Sequence, residues 1–140
     1  PRNAAGLPVF DLVLLGVGDD GHVGSLYPGR QEVLDASGKW VLPVELKQPG
    51  SITLSLPVMA AAKRVVIAAC GISEKAPQGK GEAMLRALES TNDSAATFPA
   101  VGLRGVATWV LDLAAARELS PDYSECFPFQ GASPKANFYE

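Results

Sequence analysis

The chain is poor in the residues that metal and redox chemistry use. Its 140 residues include one histidine and two cysteines. A transition-metal site draws on several His, Cys or carboxylate ligands at characteristic spacings, and no C-x-x-C pair occurs. No metal site and no disulfide framework are therefore expected. Cys70 closes the apolar run Arg64-Val65-Val66-Ile67-Ala68-Ala69-Cys70 and reads as a buried free thiol. Cys126 lies in a polar, proline-containing tail. An excess of charge of one sign is lacking too. The formal net charge is −3, which gives no electrostatic case for nucleic acid or a membrane surface. An anionic ligand has to be met by a local cluster of positive groups. No apolar run approaches the roughly 20 residues that cross a bilayer. The opening residues, Leu7-Pro8-Val9-Phe10 among them, carry no signal-peptide pattern. The chain starts at Pro1, so a processed start or a piece of a longer protein is expected.

What remains is a balance of 47% hydrophobic and 19% charged residues, as in a globular domain with one real core. Strands are expected at 10–15, 40–46, 51–56, 64–70 and 108–111. The first and fourth are near-continuous apolar runs, the pattern of parallel strands buried on both faces. The third alternates polar and apolar, which leaves one of its faces less buried. Helices are expected at 57–63, 79–89 and 112–119, with loops at 35–39, 72–78 and 90–97. Pro57 suits a first helical turn. Glu82 and Arg86 stand four apart beside an apolar stripe. Asp112 is placed to cap the last helix, and Trp109 reads as packing. Strands alternating with helices give an α/β layered architecture: a mostly parallel, Rossmann-like sheet with helices on both faces. From Ser120 the pattern weakens. Residues 1–119 therefore read as domain and 120–140 as a tail anchored by Phe127, Phe129, Phe138 and Tyr139.

Gly16-Val17-Gly18-Asp19-Asp20-Gly21 fits G-x-G-x-x-G directly after the first strand, as a dinucleotide fingerprint does. That reading needs a crossover helix after the third glycine and a second strand ending in an acidic residue about 20 positions on. Asp35 stands near that distance but not at a strand end, and Pro28-Gly29 stops the chain too early for the helix. No nicotinamide or flavin cofactor is expected. A glycine-rich turn at the carboxyl edge of a parallel sheet still places its residues where open α/β proteins bind ligands. The lone His22 on that turn is either a group exposed to the crevice, able to change charge near neutral pH, or an ordinary surface polar residue.

The run from Phe10 to Gly29, with Gly16-Val17-Gly18-Asp19-Asp20-Gly21-His22-Val23-Gly24-Ser25-Leu26-Tyr27-Pro28-Gly29 at its heart, resembles the signature F-D-L-x-L-L-G-x-G-x-D-G-H-x-A-S-L-F-P-G of 6-phosphogluconolactonases. It departs mildly at Gly24 and Tyr27. Three later stretches continue the resemblance in order. Ser51-Ile52-Thr53-Leu54-Ser55-Leu56-Pro57 is similar to R-I-T-L-T-L-P. Arg64-Val65-Val66-Ile67 with Gly71 and Lys80-Gly81-Glu82-Ala83 is similar to R-V-x-F-L-V-x-G-x-x-K-A-E-A. Phe98-Pro99-Ala100 with Thr108-Trp109-Val110-Leu111-Asp112 is similar to L-P-A followed by T-W-x-L-D. The related glucosamine-6-phosphate deaminases share G-x-G-x-D-G-H but continue I-A-F-N-E-P. Val23-Gly24-Ser25-Leu26-Tyr27-Pro28 follows the lactonase form and lacks the deaminase acid, so a deaminase-type isomerase is the weaker implication.

The resemblance implies a carboxylic ester hydrolase that opens 6-phospho-D-glucono-1,5-lactone to 6-phospho-D-gluconate in the oxidative pentose phosphate pathway, with no cofactor and no metal. It implies His22 as general base on water. Asp20 either orients the imidazole or caps the loop. The main-chain N–H groups around Gly18 and Gly21 are expected to face substrate oxygens. Lys80 either meets the phosphate or is a solvated lysine; Lys75 is its rival for the family's lysine, and Lys80 keeps the spacing into the helix. Arg104 is a weaker candidate for the substrate. The family's N-terminal half, with its G-G-S/T-T-P phosphate loop and D-E-R segment, has no counterpart in the chain. The resemblance is thus to a C-terminal half, a fold incomplete at its N-terminal side. The partner it implies is the missing half, in the same or a separate chain, and residues 1–140 alone are expected to be inactive if that half is absent. A non-catalytic lactonase-like fragment, or a structural subunit of an assembly, is the alternative. The pathway implies a cytoplasmic protein, with the plastid as alternative.

Overall fold

The computed structural model describes residues 1–124 except 47, 73, 75, 76 and 78. In chain order the strands are β1 (Val13–Gly16), β2 (Val41–Val44), β3 (Ser51–Leu54), β4 (Val65–Ala69) and β5 (Ala107–Leu111). The helices are α1 (Leu56–Ala60), α2 (Gly81–Leu88), α3 (Leu113–Ala116) and α4 (Pro121–Ser124), with 3-10 turns at Gln31–Leu34 and Pro99–Leu103. Five strands and three helices therefore lie where the apolar runs and capping signals place them, each shorter than the run that marks it except β5, which starts one residue earlier than expected.

β1, β4 and β5 form a parallel sheet in the order β1-β4-β5. Leu15 pairs with Ile67 and Ile67 with Trp109 across its middle. β2 and β3 form a separate antiparallel hairpin. α1 carries Pro57 in its first turn, where a missing N–H breaks no helical bond. α2 turns Ala83, Met84, Ala87 and Leu88 inward, the i, i+1, i+4, i+5 stripe of a helix with one buried side. α3 begins at Asp112, whose Oδ1 accepts the Ala115 N–H at 2.7 Å.

The two faces of the parallel sheet differ. Val13, Val65, Ile67 and Ala69 are buried, with Trp109 packed against them. Val65, Ile67 and Ala69 make one contiguous core with the fully buried Phe98, Leu26, Met59, Met84 and Leu103. Residues of opposite parity face outward, as a period of two requires. Leu14 is 70% exposed and Val110 55%, and Ala68 and Thr108 are exposed beside them. Among the described residues, this face of the sheet is thus left uncovered. Cys70 belongs to this story. The apolar run suggested a buried thiol, but the residue is exposed. It stands one step past β4 with the parity of Ala68, so alternation turns it outward. Cys126 and the tail aromatics fall outside the described residues. Among the described residues no helix is long and apolar enough to cross a membrane.

Candidate active site

β1 ends at Gly16 and the chain turns at the carboxyl edge of the sheet. Val17 and Val23 are buried on either side of the turn and pin it to the core. Inside it, the Gly18 N–H donates to the His22 carbonyl at 3.0 Å and the Gly21 N–H to the Gly18 carbonyl at 2.9 Å. Gly21 sits at φ +81°, a left-handed conformation that favours glycine, and a Cβ there would overlap the Phe98 ring. A Cβ at Gly18 would overlap the imidazole of His22. Both glycines are thus required by close packing. Their amides donate within the turn, so in this structure these two residues shape the turn that was expected to face a substrate.

The turn presents His22 and Asp20 as a pair. Nδ1 of His22 lies 2.6 Å from Oδ1 of Asp20, and the His22 amide donates to the same oxygen at 3.1 Å. Partial burial pushes the Asp20 carboxyl upward, but the hydrogen bonds from the His22 ring and amide outweigh it and hold the group below the usual carboxylate range. Asp20 is therefore ionised and can only accept, which makes Nδ1 the protonated nitrogen and leaves the lone pair of the neutral ring on Nε2. The imidazole packs against Tyr27, ring centroids 4.7 Å apart at 33°. The His22 side chain remains 34% exposed, so water can reach it. Both readings of Asp20 hold in this geometry, since one oxygen orients the ring and closes the turn.

The two cations of the sequence-based set lie at opposite ends of α2, whose eight residues span about 12 Å at 1.5 Å per residue. Lys80 precedes the helix, and its Nζ donates to the Val17 carbonyl at 2.6 Å, joining the glycine turn. Lys75 is outside the described residues. Arg104 is at the far end. Its Nε donates to the Ala87 carbonyl at 2.6 Å and its Nη2 to those of Arg86 and Ser90, each at 3.0 Å. The last carbonyls of a helix have no partner within it, and Arg104 supplies one. In this structure the guanidinium expected at the substrate is engaged in this structural task.

Sequence reasoning passed over three contributors. Phe98 backs Gly21, and the Ala100 N–H donates to the Gly21 carbonyl at 2.9 Å. Thr53 accepts the Ser25 N–H at 3.1 Å and lies against Gly24, which is also left-handed. Tyr27 supports the imidazole face. Only Tyr27 gave a local signal, an aromatic near the histidine; the others act from 28 or more positions away. Beside the turn, Asp19, Gly79, Glu82, Ala83, Arg86 and Arg117 line a cleft of about 250 Å³. Its two acids face two arginines, so it carries no net positive field. Among the described residues no group of His, Cys, Asp and Glu gathers to hold a metal.

Comparison with known proteins agrees with this geometry. The chain is 39% identical over 125 residues to the 6-phosphogluconolactonase of Rattus norvegicus, covering 85% of this chain and 45% of that one. It is 36% identical over 119 residues to 6-phosphogluconolactonase 3, chloroplastic, of Arabidopsis thaliana, covering 83% and 34%. The solved structure of the 6-phosphogluconolactonase from Trypanosoma brucei superposes with a TM-score of 0.64 at 30% identity, over 86% of this chain and 48% of that one. The chain spans about half the length of the animal and bacterial relatives it matches. The profile of the glucosamine-6-phosphate isomerases/6-phosphogluconolactonase family matches residues 2–110. With the glycine turn, its histidine and the parallel sheet in place, the chain belongs to that family.

Proposed function

We propose that this chain is the histidine-bearing part of a 6-phosphogluconolactonase, a carboxylic ester hydrolase that opens 6-phospho-D-glucono-1,5-lactone to 6-phospho-D-gluconate in the oxidative pentose phosphate pathway. The observation that carries the reading is the His22–Asp20 pair, 2.6 Å between Nδ1 and Oδ1 on a turn at the sheet's carboxyl edge. Nε2 of neutral His22 takes a proton from water as its oxygen attacks the lactone carbonyl carbon. The tetrahedral intermediate then expels the ring oxygen, breaking the ester C–O bond, and the imidazolium returns the proton to that oxygen. Asp20 holds the ring and stabilises the imidazolium. Lys80, a fixed cation against the same turn, meets the substrate's phosphate. Donors for the oxyanion come from outside Gly18 and Gly21.

The open sheet face and the half-length match to relatives support a second element of the proposal. The face around Leu14, Ala68 and Val110 is covered by the rest of the family fold, in the same or a separate polypeptide, and residues 1–119 form one domain with it. A non-catalytic fragment or structural subunit is the reading favoured if no such complement exists. We assign the reaction to the cytosol, with the plastid as alternative because one relative is a chloroplastic protein.

The test is His22→Ala in the chain joined to its complement, assayed on the phosphorylated lactone. kcat is expected to fall by about 10²–10⁴-fold, the usual contribution of a general base. A kcat within a few-fold of the parent, with folding intact, would overturn the assignment. Absence of activity in the joined parent itself would favour the structural subunit.

A further inference from the structure

We propose that Asp112 is a positioning residue that places Lys80: its carboxylate holds the Gly71 amide, and the close contact of Gly71 with Gly79 fixes the residue from which Lys80 departs. The inference rests on the reading of Lys80 above only for its effect on substrate, not for its structural part.

Asp112 stands at the carboxyl end of β5, next to the end of β4. Its Oδ1 and Oδ2 lie 2.8 and 2.9 Å from the Gly71 N–H, while Oδ1 also accepts the Ala115 N–H. Helix capping alone uses only the bond to Ala115. The bonds to Gly71 cross 41 residues of sequence and tie the chain leaving β4 to the start of α3. Gly71 accepts this position because it has no side chain; a Cβ there would overlap Ala114. The chain comes back to the same point at Gly79. A Cβ at Gly79 would stand 2.7 Å from the Gly71 carbonyl oxygen, and its φ of +82° is one that glycine alone tolerates well. Lys80 follows at once and reaches the Val17 carbonyl. Asp112, Gly71, Gly79, Lys80 and Val17 are thus successive contacts. They run from the end of β5 across the end of β4 to the turn after β1.

The experiment separates positioning from capping. In this chain, the acylation rate of each lysine is read by mass spectrometry for Asp112→Ala, Asp112→Ser and Asp112→Asn. Serine is a good helix cap but too short to reach Gly71 as well, whereas asparagine keeps an acceptor oxygen of the same reach. Lys80 is expected to label about three- to ten-fold faster in the Ala and Ser variants, the span of one hydrogen bond's net contribution. Asp112→Asn is expected to stay near the parent, and Lys39 and Lys63 to be unchanged throughout. Parent-like Lys80 labelling in Asp112→Ser overturns the proposal in favour of a cap alone; should Asp112→Ala fail to fold, the Ser variant decides. In the chain joined to its complement, Asp112→Ser is then expected to raise KM for the phosphorylated lactone about ten-fold with kcat within three-fold, and to leave kcat/KM for unphosphorylated gluconolactone unchanged. Faster labelling with unchanged KM upholds the placement of Lys80 and removes its role at the phosphate.

Discussion

The two faces of the parallel sheet are made of similar residues and meet different surroundings. On one, Val13 is buried, and Val65, Ile67 and Ala69 share a core with Met84 of α2 and with Phe98. On the other, Leu14, Ala68 and Val110 look outward. The closed face shows what the chain supplies for itself: a core, a pinned glycine turn and a histidine held by an aspartate. The open face carries apolar side chains that no described residue covers. Contiguous exposed apolar surface of this kind marks an interface rather than a solvent face. The His22–Asp20 pair stands at the carboxyl edge of the sheet, its turn anchored from the closed side through Val17, Val23 and Phe98.

The comparison breaks most visibly at Ile67. This side chain is fully buried in the middle of β4. Ile67→Ala is expected to lower the unfolding free energy by about 2–5 kcal/mol, as large-to-small changes in cores do, measured by denaturant unfolding of the chain. A loss below 1 kcal/mol would mean that the closed face is not the stabilising one.

A smaller effect tests how the closed side is fastened around Phe98. The Arg86 guanidinium lies 4.5 Å from the Phe98 ring centroid and forms a two-pronged pair with Asp93, at 2.7 and 3.1 Å. The Arg86 guanidinium holds the Asp93 carboxyl down from the ordinary 3.8 to about 2, with hydrogen bonds from Ser90 and Thr97 adding to it and burial opposing. A depressed carboxylate stabilises the fold above its unfolded-state value and loses that contribution as pH falls through the folded one. The parent is therefore expected to lose stability between about pH 4 and pH 2. Asp93→Asn should flatten that part of the profile and, because Arg86 is partly exposed, cost only about 1 kcal/mol at neutral pH. An unchanged acid limb in Asp93→Asn would show that the pair does not contribute.

How much of this was legible follows from where each signal resides. The apolar runs at 10–15 and 64–70 announced buried parallel strands; β4 lies within the second, and β1 overlaps the first and ends one residue past it. They could not announce that one face is open. A strand written for a two-sided layer is apolar at every position, so Leu14 and Val13 look alike until neighbours are placed. Cys70 was misread for the same reason. His22 and Asp20 were legible because two positions on one turn settle their proximity. Arg104 was not: a surface guanidinium and a helix-capping one read identically, and the carbonyls it holds lie 14 to 18 positions away. Phe98 and Thr53 likewise support the turn through contacts that local pattern does not encode. Asp112 was legible as a cap, but its second bond, to Gly71, depends on β4 and β5 being neighbours.

The smallest expected change in stability carries the most information about the open face. Leu14→Lys with Val110→Lys is expected to leave the unfolding free energy of this chain within about 0.5 kcal/mol, the usual range for exposed positions. Nothing described packs on either residue strongly enough to hold it below half exposure. The same pair of lysines should abolish association with the complementary part of the fold, because burying them there would desolvate two unpaired charges. Pull-down and activity reconstitution read that loss directly. If instead the double variant destabilises the chain as much as Ile67→Ala, the face is covered from within, and residues 125–140, with Phe127, Phe129, Phe138 and Tyr139, are the segment to suspect. Removing 125–140 then decides. Destabilisation of the parent by that deletion, and no further loss in the lysine variant, assigns the face to the tail. An unchanged parent leaves the face to the complement, and with it the completion of the site around His22.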